Sequence, residues 1–240
     1  MEISKDEQKV LAAKTAVDTL FENGSIFSGM KIGLGTGSTA LPAISRICEL
    51  INAKKITNIK AVPTSLQTAT FCEKNGIHLF SLNSKEIDGV LDLTIDGADE
   101  IDGENNLIKG GGAALLLEKI VAYSSKKYAI VADESKSVSS LGSRFPLPVE
   151  IIGEAKRSVE KRLEKLGATC TLREGVKKCG PVITDNGNQI LDCLWKSGVD
   201  ARKMEEEIKK IPGVVEVGFF TFLRPTAFIA HKDGSVEKRP

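Results

Sequence analysis

MKIGLGTGSTALPAISRICELI, residues 30–51, contains a strand, a turn and a helix in one run. Met30 to Leu34 is a short apolar segment of strand length. Glycine recurs at 33, 35 and 37, and hydroxyl side chains stand at Thr36, Ser38 and Thr39. Beyond the turn the apolar period lengthens: Leu41, Ile44, Ile47, Cys48 and Ile51 share one helical face. A strand passing through glycines into a helix is half of a βα unit, and the neighbouring sequence repeats the alternation. Residues 5–22 read as a helix through Val10, Ala13, Val17, Leu20 and Phe21, closed by Asn23-Gly24. Further strands are expected at 59–62, 77–82, 91–95 and 128–131. A helix capped by Thr64 or Ser65 and ended by Gly76 follows the second strand, and another helix spans 113–123. This is the pattern of an open parallel α/β sheet.

The order changes near Phe145-Pro146-Leu147-Pro148. Strand (149–152), helix (154–166), strand (168–173), strand (188–195), helix (201–211) and strand (214–220) make the βαββαβ order of a ferredoxin-like α+β domain. The run Ala227-Phe228-Ile229-Ala230 is expected to return to the first domain, and 232–240 reads as a polar tail. The expected organisation is a Rossmann-like catalytic domain, 1–145 with 222–240, and a smaller ferredoxin-like domain, 146–221.

Bulk properties exclude several functions. With 33 basic and 32 acidic side chains the net charge is +1, which argues for neither nucleic acid nor an anionic membrane as a partner. Five cysteines without a Cys-x-x-Cys pair, and two distant histidines, form neither a disulfide framework nor a zinc signature. The charged start MEISKDEQKV lacks the apolar core of a signal peptide, and no run reaches the length of a membrane span. A cytoplasmic protein is expected.

Four loops carry candidate chemistry. GLGTGSTA (33–40) opens a helix, where backbone amides and the helix dipole favour an anion such as phosphate. It is neither a P-loop nor a Gly-x-Gly-x-x-Gly match, and a tight βα turn is the alternative. TIDGADEID (94–102) places four carboxylates after an apolar strand. Asp96 falls at the strand's C-terminal end, the edge where open α/β sheets bind ligands. An ordinary acidic turn is the alternative; Glu100 and Asp102 read as solvated. KGGGAALLLEK (109–119) has three consecutive glycines that suit close approach of backbone amides to a ligand. Its Glu118 lies among Leu115, Leu116, Leu117 and Ile120; an apolar setting suits a general base, whereas an exposed Glu paired with a lysine is the alternative. ADESK (132–136) ends on Lys136, a cation for a phosphate or carboxylate, or a solvated loop residue.

Taken together, these motifs resemble the type A ribose-5-phosphate isomerase family. The resemblance rests on Gly35-Thr36-Gly37-Ser38-Thr39, Asp96-Gly97-Ala98-Asp99-Glu100, Lys109 to Leu115 with Glu118-Lys119, and Asp133 to Lys136. FPLPVE (145–150), ITDNGNQILD (183–192) and IPGVVEVGFF (211–220) extend it over nearly the whole chain. It implies the fold just described and the interconversion of D-ribose 5-phosphate and D-ribulose 5-phosphate through an enediol, without a cofactor or metal. It assigns proton transfer between C2 and C1 to Glu118. Asp96 and Asp99 match acids of ring opening and hydroxyl proton exchange. Lys109 and the wall of Gly110, Gly111 and Gly112 match the stabilisers of the oxyanion. Thr36, Gly37, Ser38, Thr39, Gly97, Ala98 and Lys136 match substrate-binding positions, joined by an N-terminal lysine, Lys9 or secondly Lys14, near the apparent insertion ENGSIFSGM (22–30). A homodimer or homotetramer is the family's habit. Two other readings compete: a sugar-phosphate-sensing regulatory domain, for which no helix-turn-helix fits here, and an acyl-CoA transferase with Glu118 as nucleophile, which leaves the aspartate turn without a purpose.

Overall fold

The computed structural model describes residues 2–177 and 179–240. In chain order its elements are α1 (Lys5–Glu22), β1 (Lys31–Leu34), α2 (Ala40–Asn52), β2 (Lys60–Pro63), α3 (Leu66–Lys74), β3 (Leu93–Gly97), β4 (Glu100–Ile101), β5 (Leu107–Ile108) and α4 (Leu115–Tyr123). They continue with β6 (Tyr128–Asp133), β7 (Leu147–Ile151), α5 (Lys156–Lys165), β8 (Ala168–Leu172), β9 (Gln189–Trp195), α6 (Ala201–Lys209), β10 (Val214–Val217), β11 (Phe219–Phe220), β12 (Thr226–Ala230) and β13 (Val236–Arg239). The chain divides into two compact units. The first is Met1–Ala98, Leu117–Lys136 and Pro225–Pro240; the second is Asp99–Leu116 and Ser137–Arg224.

The first unit is built on a six-stranded sheet in the order β13-β12-β6-β3-β1-β2. Every neighbouring pair is parallel except β12 with β13. All residues of β3 and β6 are buried, as expected of inner parallel strands where helices cover both faces. The order reverses between β1 and β3, whose register pairs Leu34 with Ile95. The crevice outside such a reversal is the ligand site of open α/β sheets. Helix α1 starts on a capping box in which Ser4 and Glu7 satisfy each other's backbone amides, and it packs on α2, β6 and β12. Ser65 caps α3 by accepting from the Thr68 amide. Cys72 of α3 is a core residue, and burial, reinforced by the neighbouring Cys48, pushes its thiol up to about 12.

Two elements of the first unit depart from the sequence expectation. Ile77 to Leu82 forms one parallel bridge, Ala61 to Leu79, rather than a strand. His78 is exposed there, and a turn in which the Ser84 amide donates to the Ser81 carbonyl (3.0 Å) leads the chain away from β2. The expected polar tail instead supplies β13. The His231 amide donates to the Ser235 carbonyl (2.9 Å), Gly234 turns at φ +85, and the charged strand pairs with β12. Charge along an outer strand discourages further pairing, which is why composition alone suggested a tail.

The second unit contains a four-stranded antiparallel sheet, β10-β7-β9-β8. Numbered within the βαββαβ run the order is 4-1-3-2, the ferredoxin-like arrangement. Val159, Leu163 and Ile208 from α5 and α6 join Val149, Ile151 and Leu191 in its core. The expected strand 214–220 is two strands. β10 pairs with β7, whereas β11 pairs with β5 in a second, three-stranded sheet β11-β5-β4. Gly218 makes the crossing: its amide donates to the Pro148 carbonyl (2.8 Å), and a Cβ there would meet the Lys109 carbonyl at 2.5 Å. Through these pairings Asp99–Leu116, read from the sequence as part of the first domain, falls in the second unit.

Glu150 of β7 is fully buried, with its Oε1 accepting from the Thr184 hydroxyl and the Asn188 amide, both at 2.9 Å. Burial, the largest influence, raises its carboxyl above the ordinary range, against the lowering effect of those donors. A raised folded value means that the unfolded chain releases this proton first. Stability from this group is therefore present at low pH and lost as pH rises through the folded value. Relative to the parent, Glu150→Gln should gain stability as pH is raised upward from about 4. Urea unfolding across that range measures it, and parallel profiles for the two proteins would refute the assignment.

Candidate active site

At the β1–β3 reversal the chain comes too close for side chains. The Gly35 amide donates to the Ile95 carbonyl at 2.9 Å. A Cβ at Gly35 would lie 2.0 Å from Asp96 Oδ1 and 2.6 Å from the Asp96 Cα. Asp96 is fully buried, and its Oδ1 accepts from the Thr36 amide (3.1 Å) and the Gly97 amide (2.7 Å). One carboxylate oxygen thus ties the loop after β1 to the end of β3. Gly37 turns at φ +94 with open space on its Cβ side, the left-handed region that glycine enters without steric cost. α2 then begins, and first-turn amides of a helix have no intrahelical acceptor. Ser38 is exposed at this turn and Thr39 is buried, with its Cβ placed in ordinary contact distance of a side chain at 97 (3.5 Å).

The Thr36 hydroxyl, expected from the sequence to be offered to a ligand, is engaged elsewhere. It lies 2.7 Å from the Thr64 hydroxyl, 2.7 Å from the Ser65 hydroxyl and 3.3 Å from that of Thr68. Thr68 in turn donates to the Gly35 carbonyl at 2.7 Å. This hydroxyl cluster braces the turn from the β2–α3 side, while the Thr36 amide is held by Asp96 and the Gly37 amide donates to Gln67 Oε1 at 3.3 Å, leaving Ser38 exposed at the turn. No sequence motif announced the cluster, since Thr64 and Ser65 read only as alternative helix caps and Thr68 carried no reading.

Glu118 stands in the first turn of α4, 5% exposed. The helix is pulled against the sheet at another close approach. A Cβ at Gly33 would lie 2.4 Å from Val121 Cγ1 and 2.1 Å from Thr94 Oγ1. Thr94 and Ser125 hydroxyls meet at 2.6 Å, and the Lys126 amide donates to the Leu91 carbonyl at 2.9 Å. Residues late in α4 therefore neighbour residues early in β3, so the helix runs antiparallel to the strands. Glu118, one turn before Val121, is displaced toward the end that carries Gly35 and Asp96. Lys136 follows β6 in a single 3-10 turn and is half-buried, like the adjacent Ser135 whose hydroxyl donates to buried Asp133. Lys9 lies on α1 with its ammonium 2.8 Å from Asp6, and Lys14 borders a shallow depression with Asp6, Glu7, Val10 and Leu11.

The second unit holds the remaining candidates. Asp99 is half-buried, and its Oδ2 accepts from the Gly111 amide at 2.7 Å. A Cβ at Gly111 would stand 2.6 Å from the other Asp99 oxygen, so this pairing also requires glycine. Gly110 adopts φ +110 and Ala113 φ +57, while Gly111 and Gly112 are exposed. Lys109 is 2% exposed; its amide donates to the Gly218 carbonyl (2.9 Å), and its ammonium lies 5.7 Å from the Phe220 ring centre. Glu100, read from the sequence as solvated, is 1% exposed. Its carboxylate accepts from the amides of Gly142 (2.6 Å), Arg144 (2.7 Å) and Phe145 (2.7 Å), and so organises the loop before β7. Asp102 accepts from the amides of Glu104 and Asn106 in its own turn. The four acids of 96–102 therefore do four different jobs, which alternation in a two-residue strand, β4, conceals from sequence reading. Arg173 was also missed. It donates to the Gly110 and Gly111 carbonyls and pairs with Asp192.

Comparison with known proteins bears on this geometry. A family model described as Ribose 5-phosphate isomerase A (phosphoriboisomerase A) matches residues 60–234. The chain is 56% identical over 239 residues to ribose-5-phosphate isomerase A of Treponema denticola, covering 99% of each protein. It is 52% identical over 234 residues to that of Treponema pallidum subsp. pallidum, covering 97% of this chain and 92% of the relative. Among solved structures, ribose 5-phosphate isomerase A of Methanocaldococcus jannaschii superposes with a TM-score of 0.89 at 39% identity, over 98% of this chain and 99% of that one. A D-ribose-5-phosphate isomerase in complex with phospho-erythronic acid superposes with a TM-score of 0.91 at 38% identity, over 99% of both chains.

The contact between Gly35 and Asp96 yields a direct test. Gly35→Ala should cost about 1–3 kcal/mol, because the added methyl must displace a buried carboxylate whose Oδ1 holds two backbone amides. Gly97→Ala, where the new methyl finds ordinary contact distances, should cost less. Denaturant unfolding of both variants measures the difference, and equal stabilities would remove the steric lock.

Proposed function

This chain belongs to the ribose 5-phosphate isomerase A family, and we propose that it interconverts D-ribose 5-phosphate and D-ribulose 5-phosphate with Glu118 as the general base. The observation that carries the reading is the placement of Glu118. A buried carboxylate stands at the same end of the sheet as the glycine turn and Asp96, at the reversal of strand order. Removing a proton beside a carbonyl needs a base near carbon and positive or dipolar groups near the oxygen that becomes charged. Glu118 meets the first requirement, taking the proton from one of C2 and C1 and returning it to the other. The turn at 36–39 opening α2 suits the phosphate, whose binding energy holds the reacting carbons in place.

The other roles follow the resemblance. Asp96 and Asp99 handle ring opening and the hydroxyl protons. Lys109 and the wall of Gly110, Gly111 and Gly112 take the charge of the enediolate, and Lys136 with Lys9 or Lys14 completes the anion contacts. Gly97 and Ala98 line the path of the sugar. Phospho-erythronic acid, bound by the 38%-identical relative, joins a phosphate to a carboxylate, the charge pattern expected of an enediolate intermediate. The reaction so drawn uses no cofactor or metal. The sensor reading is not favoured, because the similarity to isomerases runs the length of the chain. Among the described residues no helix is long and apolar enough to cross a membrane. A homodimer or homotetramer in the cytoplasm completes the proposal.

Glu118→Gln keeps the shape of the side chain and removes the base. Its kcat should fall by about 10²–10⁴-fold while KM for ribose 5-phosphate changes little. An assay of ketopentose 5-phosphate formation decides this, and a near-parental rate would exclude Glu118. Light scattering of the purified protein should give two or four times the chain mass of 25.8 kDa, and a mass of one chain would remove the oligomer.

A further inference from the structure

The three glycines after Lys109 pose a mechanical problem. Glycine has more backbone freedom than any other residue, so a Gly-Gly-Gly segment does not hold its amides in one direction by itself. Some external restraint must orient them if they are to stabilise charge without reorganising. Within the second unit that restraint is visible. Arg173, just past the end of β8, sends Nη1 to the Gly110 carbonyl at 2.7 Å and to the Gly111 carbonyl at 3.2 Å. Its Nε donates to Asp192 Oδ2 at 2.9 Å, and its Nη2 donates to Asp192 Oδ1. The pair is largely shielded, with side-chain exposures of 14% for Arg173 and 22% for Asp192. Asp192 lies in the middle of β9, so the guanidinium is held by a strand rather than by another loop.

The direction of the amides follows from peptide geometry. In a planar trans peptide the C=O and the following N–H point to opposite sides. Fixing the Gly110 carbonyl toward Arg173 therefore aims the Gly111 amide away from it, and that amide meets Asp99 Oδ2 at 2.7 Å. Fixing the Gly111 carbonyl likewise aims the Gly112 amide away from Arg173, on the exposed side of the loop. A single rigid fork thus sets two consecutive peptide planes, and through one of them the Asp99 carboxylate. Lysine has a point charge and no planar fork, and cannot hold Asp192 in two places while donating to two carbonyls.

We propose that Arg173, oriented by Asp192, is a positioning residue for the isomerisation: it aims the Gly112 amide and, through the Gly111 amide, the Asp99 carboxylate at the reacting end of the sugar phosphate without touching it. This rests on the reading of Lys109 to Gly112 as the oxyanion wall. The pair acts on stabilisation of the enediolate and not on the phosphate, whose proposed turn at 36–39 is built from other elements.

The test uses full-length Arg173→Lys and Asp192→Asn proteins, with Lys109→Met in parallel, all checked for folding by thermal unfolding. In Arg173→Lys, kcat should fall about 10- to 100-fold, the scale expected for slight misplacement of catalytic groups. KM for ribose 5-phosphate and inhibition by inorganic phosphate should stay within about threefold of the parent, whereas inhibition by phospho-erythronic acid should weaken in step with kcat. Asp192→Asn should fall in the same direction. A parental kcat in Arg173→Lys beside a large loss in Lys109→Met would overturn the role of Arg173 while leaving the wall intact. A parental kcat in Lys109→Met would overturn the wall and this proposal with it. Loss of thermal stability in Arg173→Lys with kcat and phospho-erythronic acid inhibition unchanged would leave the pair a purely structural tie.

Discussion

The first unit depends on a buried carboxylate that occupies the space of a missing side chain. Asp96 Oδ1 accepts from the Thr36 and Gly97 amides while standing where a Cβ of residue 35 would be. Burying an ionisable group costs free energy unless it is well bonded, and backbone amides at the end of two strands supply such bonds. The result joins the turns after β1 and β3 at the reversal of strand order. A second close approach, at Gly33, draws α4 onto the same sheet and carries Glu118 with it. Glycines at 33 and 35 therefore act less through flexibility than through absence of volume.

The second unit solves an opposite problem. Its glycines at 110–112 are mobile by nature and are held from outside, by Asp99 on an amide and by Arg173 on two carbonyls. Glu100 does comparable work on the loop before β7, with three amides on one carboxylate. Glu100 lies in β4, Asp99 directly before it and Arg173 directly after β8, so in each case irregular backbone is hung on a charged side chain in or at the end of a strand. Such restraint suits a reaction in which charge appears transiently on an oxygen, because donors aligned beforehand need not reorganise as it forms.

Much of the fold was legible. Apolar period distinguished strand from helix along 30–51, and alternating strands and helices followed by βαββαβ indicated both architectures. The misreadings share a cause. Ile77 to Leu82 has the composition of a strand, yet pairing is a property of two segments and only one bridge forms. Val214 to Phe220 reads as one strand because the crossing at Gly218 depends on Pro148 and Lys109, distant in sequence. Val236–Arg239 hides in a charged tail because an outer strand needs no apolar face. Glu100 looked solvated because β4 is too short to show alternation.

The candidate site divides along the same line. By itself the sequence determined which residue types stand at the ends of strands: the glycine turn at 33–40, the acids at 96 and 99, Lys109 with its glycines, and Glu118 within an apolar helix. These signals are local, set by spacing along a few residues. Only the tertiary structure decided what each group does with its bonding capacity. Thr36 turns its hydroxyl into a cluster with Thr64, Ser65 and Thr68, Asp96 is locked under Gly35, Glu100 is withdrawn into the fold, and Arg173 reaches Asp192 and the glycine carbonyls. A hydrogen bond is set by the distance and angle between atoms, and for the contacts just named the partners lie from 19 to 63 positions away along the chain.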